Sequence, residues 1–197
     1  YSETYLFADY TYTYKGFSLN TGISGKHTYY KQREISYKQF NPQPRILAQY
    51  SFRNGMSLRY RFNMDVSSPS LSDLNDVEQT MDSWQIKRGN PFLKNSMGYS
   101  QSLMYSYHNK YVGLELIGAY TYADNPVYET IFVEGDKIVN TIENQKDWQR
   151  LQVQATLNIH PFGQYLYLQV RPRFSRYVMH GNTYTHTYNN WALYATM

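Results

Sequence analysis

Hydrophobic and polar residues alternate along much of the chain, so that every second side chain is apolar. From Met56 to Val66 the even positions are apolar or aromatic, whereas the odd positions are Ser57, Arg59, Arg61, Asn63 and Asp65. A period of two places the two sets on opposite faces of a β-strand and does not fit a helix. The same pattern runs through residues 111–122, 148–159 and 165–175. In all four segments the apolar face carries no charge.

Weaker alternation predicts five further strands, at residues 3–14, 17–30, 45–52, 99–108 and 183–197. The sequence therefore predicts nine strands, most of them about a dozen residues long. Strands of soluble proteins usually have about 5–6 residues, whereas a tilted membrane-spanning strand needs about 9–11. Strand length thus favours a membrane protein.

The predicted connections alternate between short turns and long polar segments. The short turns are Lys15-Gly16, Asn54-Gly55, Asn109-Lys110 and His160 to Gly163, and the long segments are 31–44, 67–98, 123–147 and a shorter one at 177–182. Short turns at one end of the sheet and long loops at the other are typical of outer-membrane barrels, whose long loops are extracellular. We therefore expect extracellular loops at 67–98 and 123–147, within one barrel segment covering residues 1–197.

One turn and two long loops allow sharper predictions. A two-residue turn at Asn54-Gly55 would set the apolar side chains of one strand against the arginines of the next. A three-residue loop with Gly55 in a left-handed bulge pairs Phe52 with Met56 and restores the register. Ser70 and Asp73 could cap a short helix through 75–79, and residues 127–143 could form a small hairpin turning at Gly135-Asp136.

An apolar sheet face must be covered by protein or by lipid. No amphipathic helix of the required length is found, and an open sheet edge in hydrocarbon would leave several kcal/mol of unmet hydrogen bonding per group. We therefore predict an all-β fold, an antiparallel up-and-down transmembrane β-barrel. Tyrosines near the predicted strand ends fit interfacial aromatic girdles. The opposite, lumen-facing set would comprise Arg59, Arg61, Asp65, Glu115, Arg150, Arg171 and Arg173.

Composition narrows the functional classes. The 197 residues include no Cys, which excludes disulfides, thiolate zinc sites and a Cys nucleophile. The net charge of +4 is dispersed, so no nucleic-acid partner is predicted. The mean hydropathy of −0.66 and the lack of a long apolar run exclude a membrane-spanning helix. Histidine spacing gives no metal site, and no cofactor or catalytic motif is found, so no enzyme activity is expected.

A family resemblance is carried by the segment after Val66. Pro69-Ser70-Leu71, Leu74 and then Arg88-Gly89-Asn90-Pro91-Phe92-Leu93-Lys94 are similar to the GNPxLKPE-type loop of TonB-dependent outer-membrane receptors, especially the Bacteroidota barrel type. The motif residues are Gly89, Asn90, Pro91, Leu93 and Lys94; the following Asn95-Ser96 stands where the family usually has Pro-Glu. The resemblance implies a barrel of about 22 strands around a plug, of which nine strands would form the C-terminal part.

The resemblance also implies a location and partners. The chain would lie in the bacterial outer membrane, in contact with lipid, and would depend on a TonB-type energy-transducing partner through parts outside this chain. A surface lipoprotein is a further candidate partner. The function would be import of a nutrient such as a chelate, a glycan or a peptide. A different class of function remains open, a soluble β-sheet module that binds polysaccharide or single-stranded nucleic acid.

The arginine row allows two interpretations. Arg59, Arg61, Arg171 and Arg173 could line an anion pathway, or they could pair with carboxylates of a plug or of a neighbouring strand.

Overall fold

The computed structural model describes residues 2–32, 35–162 and 166–197, with the backbone alone described at 30–32, 35–37 and 39. These residues contain no helix of the length and apolarity needed to cross a membrane. They form thirteen strands: β1 (Ser2–Tyr14), β2 (Phe17–Gln32), β3 (Ile35–Ser51), β4 (Met56–Ser67), β5 (Gln79–Thr80), β6 (Gln85–Lys87), β7 (Ser96–His108), β8 (Val112–Asp124), β9 (Val127–Glu134), β10 (Lys137–Asn144), β11 (Asp147–Ile159), β12 (Leu168–His180) and β13 (Thr185–Thr196).

Nine of these strands form one large antiparallel sheet, in the order β1-β2-β3-β4-β7-β8-β11-β12-β13. Each strand pairs with the strands next to it along the chain, apart from the excursions that contain β5–β6 and β9–β10. The edge strands β1 and β13 do not pair with each other within the described part of the chain, so the wall is open there. The predicted nine-stranded, up-and-down antiparallel architecture is confirmed as part of a barrel wall.

Two of the four predicted long loops are wrong. Residues 31–44 were expected to be a loop, but β2 runs to Gln32 and β3 starts at Ile35, with the pairing Gln32–Ile35 at the end of the ladder. The second wrong loop is the one expected at 177–182, because β12 continues to His180 and leaves a four-residue connection to β13. At its other end, β12 begins at Leu168 rather than at Tyr165. Tyr165 itself and part of the predicted 160–163 turn lie outside the described residues. The loops at 67–98 and 123–147 shorten to 68–95 and 125–146.

Proline explains where β3 and β4 separate. Their ladder runs from Ser51–Ser57 to Arg45–Asn63 and then stops, although β3 continues its pairing with β2. The next residues of β3 toward the loops include Pro44 and Pro42. Proline has no N–H to donate to a ladder, so the β3–β4 pairing ends at the first proline it meets.

The short turns follow from residues that tolerate a positive φ. Lys15 and Gly16 have φ of 41° and 84° and form the predicted two-residue turn between Tyr14 and Phe17. The predicted bulge is confirmed, since Gly55 has φ 71° and the Phe52 N–H donates to the Met56 carbonyl at 2.9 Å. The turn predicted at Asn109-Lys110 is displaced by one residue. Asn109 pairs with Val112 and its side-chain oxygen accepts from the Tyr111 N–H at 2.8 Å.

A second, four-stranded sheet stands at the long-loop end, in the order β5-β6-β10-β9. It contains the predicted hairpin, with Gly135 at φ 62° in the turn between β9 and β10. The predicted helix at 75–79 is absent, because Ser70 and Asp73 close a single turn instead. Their backbone N–H groups donate to each other's side chains at 2.9 and 3.2 Å, and no further turn follows. Residues 68–95, 125–146 and 181–184 together are called the loop module below.

The large sheet buries polar side chains on one face and exposes apolar side chains on the other, the reverse of a sheet that packs on an apolar core. Its register places all the buried polar side chains, including Thr28, Ser106, Thr156 and Ser175, on one face, called here the polar face. The other, apolar face carries exposed side chains such as Leu103 and Val153, with 50% and 53% of their surface accessible. Side chains crowd on the concave side of a curved sheet and spread on the convex side. The polar face is therefore the inside of the curve.

Candidate functional site

The register brings every arginine and carboxylate of the predicted lumen set onto the polar face. Strand pairing connects this face from β4 to β13, through pairs such as Arg59–Met104, Glu115–Thr156 and Arg173–Ala192. The predicted set is Arg59, Arg61, Asp65, Glu115, Arg150, Arg171 and Arg173, and all seven belong to it. The apolar residues Leu58, Val153 and Leu168 lie on the opposite face. That the polar face lines a water-filled lumen is a proposal developed below.

The arginines fall into two groups rather than one cluster. Arg59 and Arg61 lie on β4, whereas Arg150, Arg171 and Arg173 lie on β11 and β12. The strands β7 and β8 separate them, so at about 4.8 Å per strand the groups are about 14 Å apart.

None of the five arginines forms an ion pair within the described residues. Arg59 Nε donates to the Gln49 side-chain oxygen at 3.0 Å, and Arg171 Nη2 donates to the Gln169 side-chain oxygen at 3.0 Å. The buried Nε atoms of Arg150 and Arg171 have no acceptor among residues 2–32, 35–162 and 166–197. Positive charge on this part of the face is therefore uncompensated by the described chain.

The opposite end of the same face is compensated. On β1–β3, Lys26 Nζ lies 2.7 Å from Glu3 Oε1, and Arg45 Nη2 lies 2.5 Å from Asp9 Oδ2. Asp65 accepts a hydrogen bond from Asn63 at 2.5 Å, and Glu115 lies 3.9 Å from His108 Nε2. On β1–β3 the cations of the polar face are thus paired with carboxylates, whereas Arg150, Arg171 and Arg173 of β11 and β12 have no carboxylate partner among the described residues.

An aromatic ribbon crosses the polar face beside Arg150. The rings of Trp148 and Tyr177 have centroids 6.2 Å apart, and Tyr177 stacks on Tyr188 at 4.5 Å with an interplanar angle of 5°. The guanidinium of Arg150 lies 5.8 Å from the Trp148 ring centroid. These rings come from β11, β12 and β13. Flat aromatic faces next to an unpaired cation form a surface suited to a ligand that has both rings or apolar faces and negative charge.

Sequence analysis missed this ribbon. Trp148, Tyr177 and Tyr188 occupy polar-face positions of three different strands, and only the register Trp148–Met179 and Tyr177–Tyr188 brings them together. The sequence feature that could have indicated the ribbon is an aromatic residue at a polar position, because such a residue breaks the alternation of its strand.

The family-like loop motif is built into the loop module. A Cβ at Gly89 would lie 2.4 Å from the Asn75 carbonyl oxygen and 2.5 Å from that of Asp73, so only glycine fits there. The Asn90 side chain donates to the Ile142 carbonyl at 3.1 Å, and Leu93 is buried. Pro91 lies between them in the sequence. The motif therefore fastens the 68–95 loop to β10.

Lys94 completes this attachment through its backbone. Its N–H donates to the Asn144 side-chain oxygen at 2.8 Å, and its carbonyl accepts from the Asn144 side-chain nitrogen at 3.1 Å. The same nitrogen donates to the Asn125 carbonyl at 2.8 Å, and the Asn144 carbonyl accepts from Asn182 at 3.0 Å. Asn144 thus joins all three segments of the loop module. The next motif position, Asn95, is buried, and neither polar atom of its side chain has a partner in the part of the chain that the structure describes.

The loop module also contains a cavity and a buried titratable group. A cavity of about 190 Å³ lies in the loop module between Arg88, Gly89 and Asn140. Burial raises the pKa of Tyr128 in the same module. Across the described ranges, no three His, Asp or Glu side chains are placed to hold a metal ion.

The sequence matches a family model described as the outer membrane protein beta-barrel family over residues 4–197. No curated protein sequence matches the chain.

Two solved structures share the fold. The siderophore receptor PirA from Pseudomonas aeruginosa has a TM-score of 0.71 and 13% identity, over 98% of this chain and 41% of that receptor. The ferric enterobactin receptor PfeA, solved in complex with BCV-L6, has a TM-score of 0.66 and 14% identity, over 95% of this chain and 32% of that receptor. The chain spans less than half the length of either receptor.

Proposed function

Because the chain belongs to the outer membrane protein beta-barrel family, we propose that it forms part of the wall of an outer-membrane receptor that imports a nutrient. The chain lies in the outer membrane. A soluble module for polysaccharide or single-stranded nucleic acid does not fit this family. It would also leave a wide apolar face, including Leu103, Val153 and Leu193, in water.

The reversal of burial in the large sheet is the observation that carries this proposal. Hydrocarbon would cover the apolar face, and the polar face would line the lumen, as in membrane barrels whose strands alternate between lipid and lumen. The short turns would then lie in the periplasm and the loop module outside the cell. In this orientation the aromatic ribbon lies toward the outer end of the lumen, where an entering nutrient arrives first.

The nutrient is proposed to be anionic. Arg150, Arg171 and Arg173 have no carboxylate partner in the described chain, and uncompensated cations inside a low-dielectric wall attract negative charge strongly. The ribbon of Trp148, Tyr177 and Tyr188 adds flat apolar surface beside them. A ferric chelate with acidic groups satisfies both features, and an acidic glycan or peptide is the second choice. The competing role for these arginines is to bind carboxylates of a plug.

The transport cycle is proposed to need parts outside this chain. The loop module would capture the nutrient, and a plug would then rearrange under the action of a TonB-type partner in the inner membrane. A surface lipoprotein could assist capture at the loop module. No covalent chemistry is assigned to any residue of the chain.

Uptake in living cells tests this function. Cells lacking the complete receptor should take up at least one of a panel of labelled ferric chelates, acidic oligosaccharides and peptides more slowly. An uncoupler should abolish the difference between these cells and the parent, because energised import requires the proton-motive force. Unchanged uptake of every compound would contradict the import function.

A matched pair of substitutions tests the polar face. Arg150→Gln should reduce uptake of the identified nutrient about tenfold or more, as expected for a lost charged hydrogen bond. Arg176→Gln, an exposed arginine on the apolar face of the adjacent strand β12, is the control and should have little effect. Equal effects of the two variants would mean that the polar face does not contact the nutrient.

A further inference from the structure

The small sheet of the loop module has an unpaired edge at β9. The turn Gly135-Asp136 is flanked by the pair Glu134–Lys137, and in a two-residue hairpin this flanking pair exchanges both backbone hydrogen bonds. Hydrogen-bonded pairs then recur at every second residue of β9. The N–H and C=O groups of Glu129, Ile131 and Val133 consequently point away from β10, toward the open edge.

Hydrogen bonds on the other side of the hairpin confirm this alternation. Ile138 and Asn140, the partners of Val133 and Ile131, direct their backbone groups toward β6: the Ile138 N–H donates to Trp84 at 2.7 Å, and the Asn140 carbonyl accepts from Arg88 at 3.0 Å. The outward groups of β9 have no such partner among the described residues. The edge is eight residues long and contains neither proline nor a bulge, two of the usual protections of an exposed edge; the charged side chains it carries are Glu129 and Glu134.

The side chains along this edge are apolar and exposed. Ile131 and Val133 have 67% and 72% of their surface accessible. Ile138, the cross-strand partner of Val133, is also exposed, as is Trp84, whose carbonyl accepts from the Ile138 N–H. In contrast, Val139 and Ile86 on the opposite face of the same sheet are buried. One face of the small sheet therefore packs within the module, and the other presents apolar side chains to solvent.

Charge indicates which occupant suits this edge. Residues 127–144 carry four carboxylates and one lysine, a net charge of −3, in a chain whose total is +4. Glu129 and Asp136 form no ion pair among the described residues, whereas Glu134 is held by Arg88 at 3.3 Å. We propose that β9 binds an extended segment of a separate protein, in which basic and apolar residues alternate, as an added strand of the small sheet.

Two other occupants fit less well. A second copy of the chain pairing through its own β9 would bring Glu129 and the other carboxylates of two hairpins together, and like charges across a sheet are destabilising. An anionic membrane surface would be repelled by the same charge. The proposal is independent of the import function, because a strand added at β9 requires no transport.

Binding of synthetic peptides to the complete receptor tests the proposal. The probe is a ten-residue peptide of alternating valine and lysine, added to the receptor in nanodiscs of zwitterionic lipid, with empty nanodiscs as the blank. A second peptide carries N-methyl groups on the backbone nitrogens that would face β9, and a third has glutamate in place of lysine. Affinity is measured by fluorescence anisotropy, and the location by hydrogen exchange.

The proposal expects binding of the first peptide, with slowed exchange at Glu129, Ile131 and Val133. N-methylation and the change to glutamate should each weaken binding about tenfold or more. In the receptor, Ile131→Pro removes one outward N–H and should weaken binding about fivefold or more, whereas Ile131→Val should not. Glu129→Lys should also weaken binding, and it keeps the test decisive if the proline variant disturbs β9.

Three results would overturn the proposal. They are no binding at millimolar peptide, equal affinity of the N-methylated and unmodified peptides, and protection confined to residues outside β9. A receptor that self-associates, and that Ile131→Pro converts to a monomer, would identify a second copy as the occupant instead.

Discussion

In the large sheet the side chains hidden from solvent are polar, apart from Val66 near the end of β4, whereas the loop module encloses a small apolar core. Ser106, Thr156 and Ser175 of the large sheet are no more than 7% exposed. In the loop module Ile86, Leu93 and Val139 are hidden, none above 4% exposed, and the polar Asn95 and Gln145 are buried beside this core. The large sheet thus buries mainly polar side chains, whereas the loop module has an apolar core.

The difference shows that the two regions face different solvents. A module surrounded by water gains stability by burying apolar surface. A sheet surrounded by hydrocarbon gains nothing from hiding leucine, and it must instead enclose its polar groups and satisfy its backbone. The connection between the regions at β4, β7, β8 and β11 therefore marks the change from lipid to water.

The largest expected effect comes from placing a charge on the apolar face at mid-strand. Val153 is the middle residue of β11, and Val153→Arg should lower the free energy of unfolding by about 2–4 kcal/mol if hydrocarbon covers it. Gln152→Arg, on the polar face opposite Ala119 and Ser175, should cost much less. Reversible denaturant unfolding in lipid measures both. Equal losses would contradict the assignment of the faces.

A second position on the apolar face tests how the cost of a charge depends on its depth in the bilayer. Leu168 lies on the apolar face but is the first residue of β12, near the end of the membrane-spanning segment. The cost of Leu168→Arg should therefore fall to about 0–1 kcal/mol, as for positions near the interface. A cost as large as that of Val153→Arg would place the bilayer further toward the short turns than proposed.

The apolar core of the loop module can be weakened in the same way. Val139 is fully buried, and Val139→Ala removes two methyl groups, which should cost about 2 kcal/mol of local stability. The neighbouring Ile138 is exposed, so Ile138→Ala should cost less. Native-state hydrogen exchange of β9 and β10 measures local opening. A larger cost for Ile138→Ala would mean that the module is packed on its other face.

The joint between the loops gives a smaller effect. Asn144→Ala removes the hydrogen bonds to the Lys94 and Asn125 backbones and should cost about 1–2 kcal/mol. Hydrogen exchange should accelerate in the 88–95 segment and near Asn125. It should change less at 181–184, because Asn182 binds the Asn144 backbone carbonyl, which alanine retains. Asn140→Ala is the control, because that side chain has only long contacts, 3.5 Å to Gln85 and 3.9 Å to Met81. Unchanged exchange at 88–95 would mean that the Asn144 side chain does not hold that loop.

The smallest effect is expected from the exposed ion pairs of Arg88. Its guanidinium lies 3.4 Å from Glu78 and 3.3 Å from Glu134, with all three side chains partly in solvent. Arg88→Gln should therefore cost less than about 1 kcal/mol, and raising the salt concentration should erase the difference. A cost that persists at high salt would indicate a packing role.

The strands were predictable because period-two alternation is local. The position of Leu58 relative to Arg59 is enough to assign two faces, and the bulge at Gly55 follows from keeping those faces in register. The position at which a strand ends depends less on the local sequence and more on the neighbouring strand. Residues 31–44 are polar and contain prolines, yet β3 forms there because β2 supplies a complete ladder on one side.

The candidate site was predictable only in part. Parity alone places Arg150 and Arg173 on one face. The contact of Tyr177 with Tyr188, and the joining of three loops by Asn144, depend on pairs far apart in sequence. No pattern along a single strand contains that information, because strand register and loop packing depend on contacts between residues far apart in the sequence.

The most direct test of the central claim is the environment of consecutive residues in β11. Nitroxide labels are attached to single cysteines at each of residues 151–157 of the complete receptor in bilayers, and collisions with oxygen and with a water-soluble nickel chelate are measured. The account predicts oxygen maxima at 151, 153, 155 and 157, because these side chains contact lipid. Nickel maxima at those positions, or no alternation, would contradict a sheet whose apolar face lies against hydrocarbon.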